Sequence, residues 1–79
     1  MEKKRTINRE NIKKLKVESS NLDYIGYNDG ALLVGFKNGG EYLYMDVEKE
    51  HYDTMISGST SVGKYFMTNI RDKYTCIKF

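Results

Sequence analysis

Proline and tryptophan are missing from this chain, and cysteine and histidine occur once each, as Cys76 and His51. A single cysteine excludes an internal disulfide, and one residue of each kind leaves no zinc cluster to assemble within the chain. No apolar run approaches the ~20 residues of a membrane-spanning helix, and no apolar segment follows the charged N-terminal stretch as in a signal peptide. The expectation is a cytoplasmic protein with no membrane contact, no metal and no cofactor. With 79 residues there is room for one domain, because so short a chain buries only ~60% of the surface it exposes when unfolded. A core this thin needs support, and with disulfides and metals excluded, a homo-oligomer is expected.

What the chain does have is tyrosine, seven of them beside three phenylalanines. These rings supply much of the core material while keeping a polar handle wet. Charge is uneven: residues 1–16 hold seven lysines and arginines against two glutamates, a net of +5, leaving −3 for the remainder of a chain whose total is +2. This basic N-terminal arm is expected to be coil or a frayed helix begun at Asn8. Either it is a solvated tail or it grips nucleic acid or an acidic partner.

From Val17 the texture becomes strand-like. Leu22, Tyr24, Ile25 and Tyr27 lead to the turn cluster Asn28-Asp29-Gly30, after which Leu32, Val34 and Phe36 alternate with Ala31, Leu33, Gly35 and Lys37, predicting one apolar face. Asn38-Gly39 signals a second hairpin of type I′. The next strand, Glu41 to Val47, sets Tyr42 and Tyr44 on one face and Leu43, Met45 and Val47 on the other. Helical spacing then takes over. Asp46 offers a cap for a first helix with Tyr52, Met55 and Ile56 inward, Gly58 suits a left-handed C-cap, and Val62, Tyr65, Phe66, Asn69, Ile70, Lys73 and Tyr74 recur at three and four. Thr75 to Phe79 alternates and adds an edge strand. The fold class is α+β: a small antiparallel meander of three to five strands with two C-terminal helices.

Gly58 to Lys64, GSTSVGK, reproduces the G-x-x-x-x-G-K of a phosphate-binding loop, but Tyr65 stands where a Mg²⁺-binding hydroxyl belongs and no parallel strand precedes it. A plain helix cap and an anion-binding helix start both remain. His51 between Glu50 and Tyr52 reads as a surface residue, Cys76 as a small buried hydrophobe, and no serine is paired with a base. No catalytic residue is expected. Tyr42 and Tyr44 either fill the core or form a stacking platform for bases.

Val17-Glu18-Ser19-Ser20-Asn21-Leu22, Ile25-Gly26-Tyr27, the run LVGFKNGGEYLY from Leu33 to Tyr44, Ser61-Val62-Gly63-Lys64-Tyr65-Phe66, Ile70-Arg71 and Tyr74 together resemble a KTSC domain over residues 17–79. The chain departs from that pattern at Glu48, where a proline is common, and at Met67, in place of an asparagine. The family takes its name from the C-terminus of some lysyl-tRNA synthetases and also occurs as small free-standing proteins of bacteria and phages. The resemblance implies binding of nucleotide or nucleic acid. For a phage protein in the host cytoplasm it implies an oligomeric sponge that sequesters a cyclic dinucleotide immune signal at a subunit interface. The residues expected to hold such a ligand are Ser19, Ser20 and Asn21 for polar contacts, Ser61, Gly63, Lys64 and Arg71 for phosphate, and Tyr44 and Tyr65 for stacking. A nucleic-acid module using the basic arm and a protein-interaction adaptor are the alternatives.

Overall fold

The computed structural model describes residues 11–79. Lys3, Lys4, Arg5 and Arg9 of the basic stretch, and the helix start at Asn8, lie outside the described residues. Five strands and two helices follow in the order β1 (Leu15–Lys16), β2 (Leu22–Asn28), β3 (Ala31–Phe36), β4 (Glu41–Tyr44), α1 (Lys49–Ile56), α2 (Val62–Asn69) and β5 (Cys76–Lys78). The strands form one antiparallel sheet in chain order, β5 returning beside β4 after the helices. This is the α+β meander with two helices that the periodicity predicts. No helix among the described residues is long and apolar enough to cross a membrane.

Turn chemistry explains the hairpins. Asp29 and Gly30 have φ of 47° and 86°, the left-handed pair that a two-residue type I′ turn requires. The Asn38-Gly39 hairpin differs from its expected type I′ form. Only Gly39 is left-handed, at φ 102°, and the Gly39 N–H donates to Phe36 O at 2.9 Å while Phe36 N–H donates to Gly40 O at 2.8 Å. That is a type I turn followed by a glycine bulge, the three-residue alternative.

Helices cover one face of the sheet. Leu22, Ile25, Leu32, Val34 and Tyr44 meet Val47, Met55, Val62, Phe66 and Ile70 in the main core. The other face is also buried, which the alternation of β3 did not predict: Ala31, Leu33 and Leu43 form a second cluster with Ile12, flanked by Tyr24 and Met45. A continuous apolar run marks a strand buried on both sides, and here the cover comes from the segment expected to be an arm. Ile12 is 3% exposed, and Leu15 and Lys16 pair with Ile25 and Tyr24 as β1 instead of fraying.

Four further expectations are corrected. The third strand stops at Tyr44, because Asp46 is left-handed at φ 58° and redirects Val47 into the helix-side core. Asp46 therefore does not cap α1; Glu48 holds the N-cap position, without a side-chain cap. Ile56 is 42% exposed rather than part of the buried stripe. Cys76 is exposed, not buried, because it lies on the edge strand.

Candidate functional site

On the helix-covered face, four aromatic rings close into a cycle. Phe36 meets Tyr42 edge-on at 5.6 Å and Phe66 at 5.6 Å, Tyr44 meets Phe66 at 5.4 Å, and Tyr42 stacks on Tyr44 at 6.3 Å and 26°. The reason is local. Phe36, Tyr42 and Tyr44 point to the same side by the two-residue period of neighbouring strands, and Phe66 comes down from α2 onto them. Such pairs add ~0.5–1.5 kcal/mol each beyond their area burial, so the cycle helps hold α2 on the sheet.

Above it opens a groove of about 850 Å³, whose lining includes Ser20, Asn21, Asn38, Met67 and three cations, Lys37, Arg71 and Lys78, with no carboxylate among its described residues. Among the described residues Arg71 forms no ion pair, and its guanidinium lies 4.0 Å from Met67 Sδ. Lys78 Nζ stands 5.9 Å from the Tyr42 ring centroid, placed there because Lys78 pairs with Tyr42 across β4 and β5. Tyr44 is 3% exposed, and its hydroxyl is pushed up to about 12, first by burial and then by neighbouring Cys76, with Arg71 pulling the other way. It stays protonated and neutral in the groove base at physiological pH. Among the described residues there is no group of histidine, cysteine and carboxylate side chains able to hold a metal.

The residues singled out from the sequence are divided among three places. Ser20, Asn21, Tyr44 and Arg71 line this groove. Tyr44 contributes differently from expectation, since its ring is buried against Tyr42 and Phe66, while Tyr42 and Phe36 are only partly buried in the groove lining. Ser19 lies outside the groove lining and acts in a turn: its Oγ accepts the N–H of Asn21 and of Leu22, both at 3.1 Å. Gly63 is buried against Ser19. Ser61 caps α2, its Oγ accepting the Lys64 N–H at 3.4 Å, and Lys64 is exposed.

Tyr65 belongs to a different cluster. Its hydroxyl is 2.8 Å from His51 Nδ1, while His51 Nε2 is 3.5 Å from Glu48 Oε1 and Tyr74 donates to the same Glu48 oxygen at 3.2 Å. Partial desolvation, then Glu48, raises the Tyr74 hydroxyl above its ordinary value. His51 is thus half-buried between Tyr65 and Tyr74, not a surface residue, and ties α1 to α2. The two departures from the family pattern fall in these two places: Met67 in the groove, Glu48 in the His51 cluster.

Sequence reasoning missed Phe36, Lys37, Asn38, Phe66, Met67 and Lys78 as groove residues. Phe36 shares its face with Tyr42 and Tyr44 by alternation and was recoverable on that signal. Lys78 was not, since nothing local says that β5 lies beside β4.

Residues 18–74 match the KTSC domain. Among solved structures, the chain is similar to the crystal structure of a KTSC domain protein from Yersinia pestis at 30% identity and a TM-score of 0.79, with 86% of this chain and 97% of that one covered. No curated protein matches the chain.

Proposed function

The chain belongs to the KTSC domain family, and from that premise and the groove geometry we propose that it captures a small phosphorylated nucleotide without transforming it. One observation carries the reading: the partly buried rings of Tyr42 and Phe36 line a groove together with Lys37, Arg71 and Lys78, with no carboxylate among its described residues. Bases stack on aromatic faces at ~1–3 kcal/mol each, and guanidinium and ammonium groups grip phosphate. Asn21 and Asn38 supply amides for a base edge. Among the described residues the groove lining holds no histidine or carboxylate, which favours binding over acid-base chemistry in this reading. Its finer form is the oligomeric phage sponge for a cyclic dinucleotide, which needs affinity and a second groove but no chemistry.

Two cations of the nucleic-acid alternative make surface ion pairs, Lys14 with Glu41 at 3.7 Å and Lys16 with Asp23 at 3.4 Å, weak contacts that a phosphate could exchange. Thermal melting against a panel of cyclic di- and trinucleotides tests the proposal, because a ligand that binds only the native state raises the midpoint by mass action. A midpoint that rises with at least one of them, and does not rise for Arg71→Ala, is the expected result. No rise with any nucleotide, combined with steeply salt-dependent binding of RNA or DNA, would replace this reading with the nucleic-acid one.

A further inference from the structure

We propose that β5 is a dimerisation edge, pairing antiparallel with β5 of a second copy about a two-fold axis through Ile77. The hydrogen-bond ladder shows which groups are available. Met45 N–H donates to Thr75 O and Phe79 N–H donates to Glu41 O, both at 2.9 Å, and Leu43 pairs with Ile77. Thr75, Ile77 and Phe79 therefore turn their backbone groups toward β4, and by alternation Cys76 and Lys78 turn theirs outward. Among the described residues no strand pairs with that outer edge.

An open edge is a template for another strand, and this one is complementary to itself. With Ile77 opposite Ile77 of the second copy, Cys76 of each chain faces Lys78 of the other, and both N–H and both C=O groups of Cys76 and Lys78 find partners. Centring the axis on Cys76 instead sets up only the exchange between the two Cys76 residues within the strand. Centring it on Lys78 opposes like charges. The side chains agree with the Ile77-centred register. Ile77 is 47% exposed and Phe79 49% exposed on one face, so the pairing buries an isoleucine pair there, while on the other face each Lys78 meets a cysteine rather than another lysine. The opposite edge lacks these features: β1 is two residues long, and its Lys16 is engaged with Asp23.

Directly opposed residues of paired strands share a face, so the two grooves come to lie on the same side of one continuous sheet. The pairing itself stands on the sheet edge and does not depend on the nucleotide reading.

Sedimentation velocity of the full chain tests it. The wild type is expected to be a dimer. Lys78→Pro removes an outward N–H without touching a β4 hydrogen bond and is expected to give a monomer with unchanged far-UV circular dichroism. Ile77→Lys, which removes no backbone donor, is expected to do the same, and it decides the matter if the proline variant fails to fold. Register has its own test: in a non-hydrogen-bonded pair the Cα atoms lie ~4.5 Å apart, within disulfide range, so Ile77→Cys with Cys76→Ser forms an interchain disulfide on oxidation. A monomeric wild type, or a dimer that survives both Lys78→Pro and Ile77→Lys, overturns the proposal. Either outcome leaves the groove reading intact, since the groove is lined by residues of one chain.

Discussion

Ser19 occupies the space that a side chain on Gly63 would need: a Cβ built on Gly63 lies 2.9 Å from Ser19 Oγ. Both residues were expected to touch a ligand, and they touch each other. Ser19 Oγ is committed to two backbone N–H groups at the start of β2, so a methyl at position 63 displaces it from bonds worth ~1 kcal/mol each. The higher helix propensity of alanine returns ~1 kcal/mol. Gly63→Ala is therefore expected to destabilise by about 1 kcal/mol. In a Ser19→Ala background the same change becomes neutral or stabilising, and additive urea denaturation energies for the two substitutions would contradict the contact.

Arg71→Ala and Lys78→Ala are each expected to weaken nucleotide binding roughly tenfold or more, the loss of a charge-assisted contact. Lys64→Ala, whose lysine lies outside the groove lining, leaves it unchanged. Calorimetric titration distinguishes this from a site at the start of α2, for which the order reverses.

Tyr44 makes stability sensitive to alkali. Its folded-state value, about 12, lies above the ordinary 10, so folding holds a proton that the unfolded chain releases. The contribution is fully present below pH 10 and is lost as pH rises toward 12, by up to ~1.4 kcal/mol per pH unit. Tyr44→Phe removes this dependence, and its denaturation midpoint should fall less steeply than the wild type's over that range. Parallel curves would show that Tyr44 titrates normally.

The hydrogen bond between His51 and Tyr65 joins α1 to α2, so Tyr65→Phe is expected to cost ~1 kcal/mol, a fall in Tm of ~4–8 °C for a domain of this size. Nucleotide affinity stays unchanged. A stable variant that no longer binds would return Tyr65 to the ligand site.

How much of this was legible follows from the range of each signal. Period two along Ala31–Phe36 and Glu41–Tyr44, and the turn residues between them, specify the meander and put Tyr42 and Tyr44 on one side, because strand geometry is decided by neighbours in the chain. The helical spacing of Val62, Phe66 and Ile70 likewise predicts the buried stripe of α2 and its continuation into the following turn. Period alone failed where a residue's surroundings come from afar. Leu33 looked like the polar side of β3 until Ile12 covered it, and Val47 changed sides because Asp46 takes a left-handed turn that no period encodes.

The candidate site shows the same division. The sequence by itself determined the aromatic strands, the two helices and the family pattern that links them, since each is written in contiguous residues. Only the tertiary structure decided that Arg71 and Lys78 line one groove with Tyr42 and Tyr44, while Ser19, Gly63 and Tyr65 make internal contacts. Strand order and helix docking bring those groups together across long stretches of chain, and the free energy that selects them is burial of the whole core rather than any local preference.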